Sequence, residues 1–393
     1  MTGALLTAEE AAAELNVSRA TLYAYVSRGM IRSEPRAHSR KRLYSAEDVR
    51  RLIDGRQRND IATDKTQTGA LPVLESAITD IGSGGFRYRG RDVAGLAKAA
   101  SLESVAGLVW SVSSDPFAEA APRWPAEVSE SQRLAISDDP LLHCQSMLPV
   151  IGQNDVSSLN RSPDGLRNTG ARLVRSLTAL IVGAHPSSQP VHRQLANAWS
   201  TDEDDLLRAA LVVSADHELN ASTLAVRVVI STDASLYAGV TAGLAALSGP
   251  RHGGMTDRVA ALLPYLLAAP DPEAAIAERL RRGDPLPGFG HPLYPDGDPR
   301  APILIDLMRP CFVGDPQFET ALALSQAAIE LADRPPTIDF ALTLLALMLA
   351  LPPRAPLGLF AIGRAVGWIG HAMEQIADGR LIRPRARYVG LHP

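Results

Sequence analysis

The chain has little cysteine, little lysine and no long apolar run. Its two cysteines, Cys144 and Cys311, are too few for a disulfide framework or a cysteine metal cluster. The N-terminal MTGALLTAEE lacks the basic residues of a secretory signal, so we expect reduced thiols and a cytoplasmic protein. The longest apolar run, FALTLLALMLALPP, is shorter than the roughly 20 residues of a membrane span. It predicts a buried helix and no membrane partner.

The chain also lacks a strand–helix alternation and any glycine fingerprint for a dinucleotide or a nucleoside triphosphate. With 393 residues, 46% of them hydrophobic and 21% charged, it is long enough for two or three domains. The net charge of -4 gives no general attraction to nucleic acid. From about residue 93 onward the pattern is helical and broken by prolines, which predicts a mainly α fold.

Residues 1–60 are expected to form a separate small domain. Thr7 and Glu10 have the spacing of a capping box, and Ser18 and Gly29 suit the start and end of a second helix. Two short helices joined by a tight turn are the helix-turn-helix pattern. RAHSRKRLYSAEDVRRLI then predicts a basic ribbon and a third helix capped by Ser45. The polar stretch NDIATDKTQTG has no apolar period and places a linker at 61–70.

Positive charge is concentrated in this small domain, with ten basic residues against four acidic ones from Arg28 to Arg58. The patch either faces duplex DNA, or is a solvated surface or a dimer-forming arm. LTAEEAAAELNVSRATLYAYVSRGMI resembles the winged helix-turn-helix of the MerR and excisionase families, whose second helix enters the major groove. The resemblance implies DNA contacts from that helix and from the wing: Ser18, Arg19, Thr21 and Tyr23, and Arg40, Lys41 and Arg42.

Three of the nine histidines lie in unusual surroundings. His217 lies between two acids in SADHELNAST, His252 lies among glycines in LSGPRHGGMTD, and His291 lies in the proline- and glycine-rich GDPLPGFGHPLYPDGDPR. Each by itself is more often a structural histidine than a catalyst. Together, two histidines on backbone that allows close approach of a ligand indicate a site.

A carboxylate and several arginines complete this set. Asp339 in RPPTIDFALTL starts an apolar helix, where burial raises a carboxyl pKa toward that of a useful base, although it is also suited to a simple helix-terminus charge. Arg300, Arg364 and Arg383 offer guanidinium forks suited to a small dicarboxylate. No two histidines have ligand spacing on one element, so we expect no metal.

These segments resemble the citrate synthase family, which includes 2-methylcitrate synthase. The resemblance is carried by ADHELNASTLAVRVV, LSGPRHGGMTD, GFGHPLYPDGDPRA, PTIDF, GRAVGWIGHAMEQIADGRLIRPRARYVG and the hairpin-like ITDIGSGGFRYRGRDV. It spans about 71–393, with a poor match from about 112 to 200. It implies a mainly α fold with a large domain at 71–253 and 351–393 and a small domain at 254–350. It also implies a homodimer.

The resemblance further implies the role of each residue. Asp339 would remove a proton from the methyl group of acetyl-CoA, His252 would stabilise the enol, and His291 would donate to the oxaloacetate carbonyl. Oxaloacetate would be bound by four further residues: His217, Arg300, Arg364 and, from the partner subunit, Arg383. Acetyl-CoA is the co-substrate, and no cofactor is expected. The family usually has basic residues where this chain has Pro292 and Pro295, which puts the affinity for CoA in doubt.

Three functions remain open from the sequence. The first is an acyl-CoA:oxaloacetate condensing enzyme with a DNA-binding regulatory module, acting on acetyl-CoA or, as a 2-methylcitrate synthase, on propionyl-CoA. The second is a transcription regulator that senses metabolites through an inactive synthase domain. The third is the same enzyme with residues 1–60 as an oligomerisation appendage. The intact set of Asp339, His252 and His291 favours the enzyme.

Overall fold

The computed structural model describes residues 5–14, 22, 26, 31–35, 42–46, 48–49, 74–82, 85–112, 115–119, 122, 124, 139–291, 294, 297–384 and 388–390. The chain divides into two compact units. One comprises Met1–Leu74 with Arg383–Pro393, and the other comprises Glu75–Ile382.

The first unit contains a short helix and a three-stranded antiparallel sheet: β1 (Leu5–Leu6), α1 (Ala8–Glu14), β2 (Ser33–Pro35) and β3 (Arg42–Ser45), in the order β1-β3-β2. The predicted capping box is confirmed, since the Thr7 amide donates to Glu10 Oε2 at 2.8 Å and the Glu10 amide donates to Thr7 Oγ1 at 3.3 Å. The predicted ribbon is present as β2 paired with β3. Ser45 accepts the Asp48 amide at 3.3 Å, as a helix cap does.

The second unit is almost entirely helical, which confirms the predicted fold class. Its strands are β4 (Thr79–Gly82), β5 (Gly85–Tyr88) and β6 (Arg91–Asp92). Its helices are α2 (Val93–Ala99), α3 (Leu102–Val109), α4 (Pro140–Asn154), a 3-10 turn (Val156–Leu159), α5 (Pro163–Val182), α6 (Val191–Trp199), α7 (Asp204–Val213), α8 (Ala221–Ile230), α9 (Leu236–Leu247), α10 (Met255–Leu267), α11 (Pro272–Arg282), α12 (Arg300–Met308), α13 (Pro316–Ala332), α14 (Ile338–Met348) and α15 (Ala355–Asp378). The predicted hairpin is confirmed as β4 and β5, with β6 added.

Local sequence explains many of the helix starts. Four helices begin with proline directly after a capping residue, and each cap accepts a backbone amide of the first turn; the caps are Asp139, Ser162, Asp271 and Asp315. Proline suits the first helical position because its missing N–H has no partner there in any case. Local sequence therefore favours helix starts at these positions.

The core is built around α15, whose residues from Ala355 to Ala372 are all buried. Among the described residues, eight helices pack on it: α3, α4, α5, α7, α8, α9, α10 and α14. Gly367 allows the backbone after α7 to lie directly against α15, because a Cβ there would collide with Ala215 and Asp216. The Gly367 amide donates to the Ala215 carbonyl at 2.9 Å. This contact places the segment that carries His217 beside the central helix.

A second group of helices, α10, α11, α13 and α14, packs mutually, and α12 joins α14 to α7. The apolar run after Asp339 is the buried α14, as predicted. Among the residues that the structure describes, no helix is long and apolar enough to cross a membrane. Cys144 is buried and Cys311 is exposed, and both are free thiols.

Candidate active site

His217 follows the end of α7 and is buried against the β4–β5 hairpin and the His291 loop. Its ring lies 6.1 Å from that of Phe86 and 5.0 Å from that of Tyr294. Burial lowers the pKa of His217 well below its usual range, and the positive charge of Arg300 adds to this, so the ring is neutral. Its Nε2 is buried and makes no hydrogen bond to a described residue. A buried unpartnered nitrogen of this kind is suited to a ligand.

Two buried arginines converge on one aromatic ring. Arg300 and Arg364 place their guanidinium carbons 5.9 Å and 5.2 Å from the centroid of Phe360. Arg364 donates through Nε to the Ser214 carbonyl at 3.2 Å, while its Nη1 and Nη2 make no hydrogen bond within the described structure. Burial lowers the pKa of Arg364 to about 10, so it keeps its charge at neutral pH. Two unsatisfied charged donors in the interior are costly unless an anion binds them.

Asp298 holds Arg300 and links it to α14. Its carboxylate accepts from Arg300 Nε at 2.9 Å and from Arg300 Nη2 at 2.8 Å, and its Oδ2 also accepts the Ile338 amide at 3.0 Å. Although burial opposes ionisation, Arg300 holds the pKa of Asp298 well below its usual range. Asp298, near the end of the loop that carries His291, is therefore hydrogen-bonded to the helix that carries Asp339.

Asp339 is the second residue of α14. Burial raises the pKa of Asp339 to about 7, although Arg300 acts in the opposite direction. Thr337 Oγ1 lies 3.3 Å from its Oδ2 and also donates to the Gly288 carbonyl at 3.2 Å. Desolvation therefore outweighs the helix-terminus field, and the carboxylate has the proton affinity of a general base at neutral pH.

His252 lies in the turn before α10, with Nε2 2.7 Å from Ser222 Oγ. Burial lowers the pKa of His252 to about 4, and the charges of Arg364 and Arg300 add to this, so the imidazole is neutral. Ser222 Oγ also accepts from Trp368 Nε1 at 3.2 Å and lies 2.8 Å from Asn220 Oδ1. The serine thus connects His252 to the central helix.

The loop that carries His291 depends on two glycines with positive φ, Gly288 at 86° and Gly290 at 74°. The Gly290 amide donates to the Pro335 carbonyl at 2.8 Å, and the Thr337 amide donates to the Gly288 carbonyl at 2.8 Å. The His291 ring lies 4.8 Å from that of Tyr294, and burial lowers the pKa of His291. The loop is therefore fastened to the segment just before Asp339.

One cavity of about 430 Å³ brings most of these groups together. Five of the predicted site residues line it: His217, His252, His291, Arg300 and Asp339. Arg364 does not line the cavity, but it packs on Phe360, which does. A cavity of this size with a few convergent polar groups is typical of a small-molecule site. The described residues form no cluster of three or more histidines, cysteines or carboxylates that could hold a metal.

The other predicted residues lie elsewhere. Arg383 is exposed and falls in the first compact unit, so its part in the site stays a prediction. Of the DNA-contact candidates, six lie outside the described residues: Ser18, Arg19, Thr21, Tyr23, Arg40 and Lys41. Arg42 is described on β3, where it is exposed and donates to Ser33 Oγ and to the Ser33 carbonyl, both at 2.9 Å. Pro292 and Pro295 also lie outside the described residues.

Four residues of the site were not singled out from the sequence. They are Asp298, Ser222, Tyr294 and Phe360. Asp298 had a signal, because a carboxylate two residues before Arg300 in one rigid loop is in reach of its guanidinium. No sequence signal identified Ser222 or Phe360. Ser222 is 30 residues from His252, and Phe360 is 60 residues from Arg300.

Residues 68–385 match the family model described as citrate synthase, C-terminal domain, and residues 5–57 match one described as helix-turn-helix domain. The chain belongs to the citrate synthase family. It is 27% identical to citrate synthase 2 of Bacillus subtilis over 80% of this chain and 93% of that protein. It is 26% identical to 2-methylcitrate synthase of Shewanella oneidensis over 81% of this chain and 93% of that protein.

A solved structure of the same fold is the citrate synthase of Thermoplasma acidophilum, in a ternary complex with carboxymethyl coenzyme A and oxaloacetate. Its TM-score is 0.68 at 25% identity, over 82% of this chain and 94% of that chain. The citrate synthase of Thermotoga maritima has a TM-score of 0.67 at 26% identity. Family and fold together make this chain a citrate-synthase-type enzyme, an acyltransferase, with a helix-turn-helix domain before it.

Proposed function

We propose that the chain condenses acetyl-CoA with oxaloacetate and water to give citrate and CoA. The main observation is that three groups meet at one cavity. They are Asp339, with a pKa near 7, and the histidines His252 and His291, whose pKa values are lowered by burial. Beside them lie buried donors without a partner in the described structure, His217 Nε2 and the two Nη atoms of Arg364. A keto dicarboxylate supplies the acceptors that these donors need.

In the first step Asp339 takes a proton from the methyl carbon of the acetyl thioester, and His252 donates a hydrogen bond to the thioester oxygen as it gains charge. A carboxylate by itself is too weak a base for this proton, so the enolate must be stabilised as it forms. The enol carbon then attacks the oxaloacetate carbonyl carbon. His291 gives its proton to the carbonyl oxygen, which leaves citryl-CoA. Water cleaves this thioester, releasing citrate and free CoA.

We infer that Ser222 sets the tautomer of His252 that this role requires. Trp368 Nε1 is only a donor, so the single Ser222 hydrogen goes either to His252 Nε2 or to Asn220 Oδ1. Asn220 Oδ1 already accepts the Thr223 amide at 3.0 Å. The two acceptors lie at nearly equal distances of 2.7 and 2.8 Å, and we assign the hydrogen to His252 Nε2 because the proposed step needs a proton on the other ring nitrogen, Nδ1. The neutral ring then carries its own proton on Nδ1, where it can be donated to the substrate.

Ser222→Ala is expected to lower kcat by roughly tenfold to hundredfold, less than the loss of a whole oxyanion donor, because the favoured His252 tautomer is lost. Oxaloacetate affinity should change little, since the serine does not contact the keto acid site. Ser325→Ala is the matched control, because that buried serine only donates to the Ala321 carbonyl within α13. Equal kcat for the two variants would contradict the tautomer assignment.

Oxaloacetate is assigned to His217, Arg300 and Arg364, with Arg383 from the partner subunit. Arg364 packs on Phe360 and does not line the cavity, so we propose that the site contracts to bring Arg364 to a carboxylate. We place that closure between a large domain (71–253 and 351–393) and a small domain (254–350). Arg354 supports a junction there, since it pairs with Asp139 at 2.9 Å and with Asp257 at 3.1 Å. No cofactor is needed beyond the co-substrate.

A homodimer is supported by an apolar surface on the second unit. Leu142, Val150, Val156 and Leu159 are exposed on α4 and the 3-10 turn, beside a groove walled by α9. Apolar side chains grouped in this way mark an interface more often than a free surface. We propose that a second copy covers them and that, as the family resemblance implies, Arg383 is contributed by the partner subunit.

If Arg383 acts across this interface, the inactive variants Arg383→Ala and Asp339→Asn should complement each other after mixing and reassembly. In each heterodimer one site carries neither lesion, so random exchange should restore about a quarter of wild-type activity. Mixing Asp339→Asn with His291→Ala is the control, because each site of that heterodimer keeps one lesion. No recovery despite exchange verified by mass spectrometry would assign Arg383 to its own subunit.

The direct test of the function is release of free CoA by the purified chain, given oxaloacetate with acetyl-CoA or with propionyl-CoA. Faster turnover of acetyl-CoA supports citrate synthesis. Faster turnover of propionyl-CoA would make the chain a 2-methylcitrate synthase. No CoA release with either would favour a metabolite-sensing regulator with an inactive synthase domain.

We propose in addition that residues 1–60 bind duplex DNA. The match to a helix-turn-helix domain and the β2–β3 ribbon with its exposed Arg42 support this. Affinity should fall steeply with salt, and replacing Arg40, Lys41 and Arg42 by glutamine should flatten that dependence by up to about three units. Fluorescence anisotropy with fragments near the protein's own gene measures this, with random DNA as control. If no fragment binds better than random DNA, the domain is an oligomerisation appendage.

A further inference from the structure

Two arginines line the cavity at its solvent-exposed rim. Arg251 directly precedes His252, and Arg258 lies in the first turn of α10. Met255, three residues before Arg258, also lines the cavity, so this face of α10 is turned toward the site. Both arginines are exposed, in contrast to the buried Arg300.

Neither rim arginine has a polar side-chain partner among the described residues, in contrast to other arginines near the site. Arg300 is bound by Asp298, and Arg354 is bound by Asp139 and Asp257. Asp257 is the sequence neighbour of Arg258, but its carboxylate is 3.1 Å from Arg354 and thus directed to another cation. The charges of Arg251 and Arg258 are therefore not neutralised locally.

The acidic groups on the cavity wall do not cancel this charge. They are Asp339, which lies in the interior, and Glu218, which is exposed. Two arginines against one exposed carboxylate leave the rim net positive, while the interior pairs Arg300 with Asp298. A positive rim above a reactive interior is suited to a ligand that reacts at one end and carries negative charge at the other.

We propose that Arg251 and Arg258 form an anion subsite that binds the phosphate groups of the acyl-CoA. This rests on the proposed function, in which the thioester must lie between His252 and Asp339. The rest of the CoA then extends out past the residue next to His252, and guanidinium groups are preferred partners of phosphate.

The test compares Arg251→Gln, Arg258→Gln and the double variant with Arg91→Gln. Arg91 is also exposed, has no side-chain partner among the described residues and lies outside the cavity wall. Each rim variant is expected to raise KM for acetyl-CoA about tenfold, the effect of one lost charge-assisted hydrogen bond. KM for oxaloacetate and kcat should stay unchanged. S-acetyl-pantetheine lacks the diphosphate and the phosphorylated ribose of CoA. With this substrate, KM should be the same for all variants and for the wild type.

Several results would overturn the subsite. One is an unchanged KM for acetyl-CoA in the double variant while condensation proceeds, which leaves the proposed function intact. Another is an equal rise in KM for acetyl-CoA and for S-acetyl-pantetheine, which would show that the arginines shape the cavity. If the wild type condenses no thioester, the proposed function fails instead. Calorimetry with free CoA then decides the subsite, since the double variant must bind CoA at least tenfold more weakly than Arg91→Gln.

Discussion

Asp339→Asn is expected to abolish condensation and to leave oxaloacetate binding nearly intact. Asparagine fills the same space but cannot accept the methyl proton, and the keto acid is held by His217 and the arginines. Release of free CoA measures the loss, and calorimetry with oxaloacetate measures the binding. Turnover within a few-fold of the wild type would exclude Asp339 as the base. Asp202→Asn, at an exposed aspartate outside the cavity, is the matched control.

The pKa of about 7 gives this assignment a pH signature. The base must be ionised, so kcat/KM for acetyl-CoA should fall about tenfold for each pH unit below 7 and level off above it. Protonation of His252 does not cause this fall in kcat/KM, because its pKa of about 4 keeps the ring neutral between pH 5 and 7. A flat profile between pH 5 and 7 would show that the ionised form of Asp339 is not required.

The same pKa shift predicts an effect on stability. Because the folded-state pKa of Asp339 is raised above the unfolded value near 4, the folded chain binds this proton more tightly, and its free energy of unfolding falls as pH rises from about 4 to 7. The penalty is complete above pH 7. Asp339→Asn removes it, so the variant should unfold several degrees above the wild type at pH 8 and show little difference at pH 4. Calorimetric scans of both proteins, with Asp202→Asn beside them, measure this.

His291→Ala is expected to lower kcat by about two to four orders of magnitude, the usual cost of a lost general acid. The residue acts on the ketone and not on the thioester, so the loss should be confined to carbon–carbon bond formation. His185→Ala is the control, since that histidine is exposed and outside the cavity wall. Its kcat should equal that of the wild type.

An exchange experiment separates His291 from the base. With malate, which has both carboxylates but no ketone, the enzyme should exchange the methyl protons of acetyl-CoA with solvent deuterium without condensing. His291→Ala should keep this exchange, and Asp339→Asn should lose it. Loss of exchange in His291→Ala would place the histidine in enolisation and contradict its assignment to the ketone.

The sequence by itself determined the local features of this protein. The Thr7–Glu10 capping box, the β4–β5 hairpin and the cap-and-proline helix starts each depend on residues a few positions apart, and all are present. The motifs around His217, His252, His291 and Asp339 identified the family, because long ordered motifs are specific even where the chain between them has changed. The mainly α fold followed from the helical pattern.

Only the tertiary structure decided the chemistry of these groups. The pKa of Asp339 depends on the burial that α14 acquires by packing. The Ser222 hydroxyl that contacts His252 Nε2 also accepts from Trp368, and these two residues lie 30 and 116 positions away from His252. The bond from Asp298 to the Ile338 amide spans 40 residues. Desolvation and long-range hydrogen bonds arise only when segments far apart in the chain pack together, so no local pattern encodes them. The same packing left Arg251 and Arg258 without a partner in the described part of the chain, while it neutralised Arg300 in the interior.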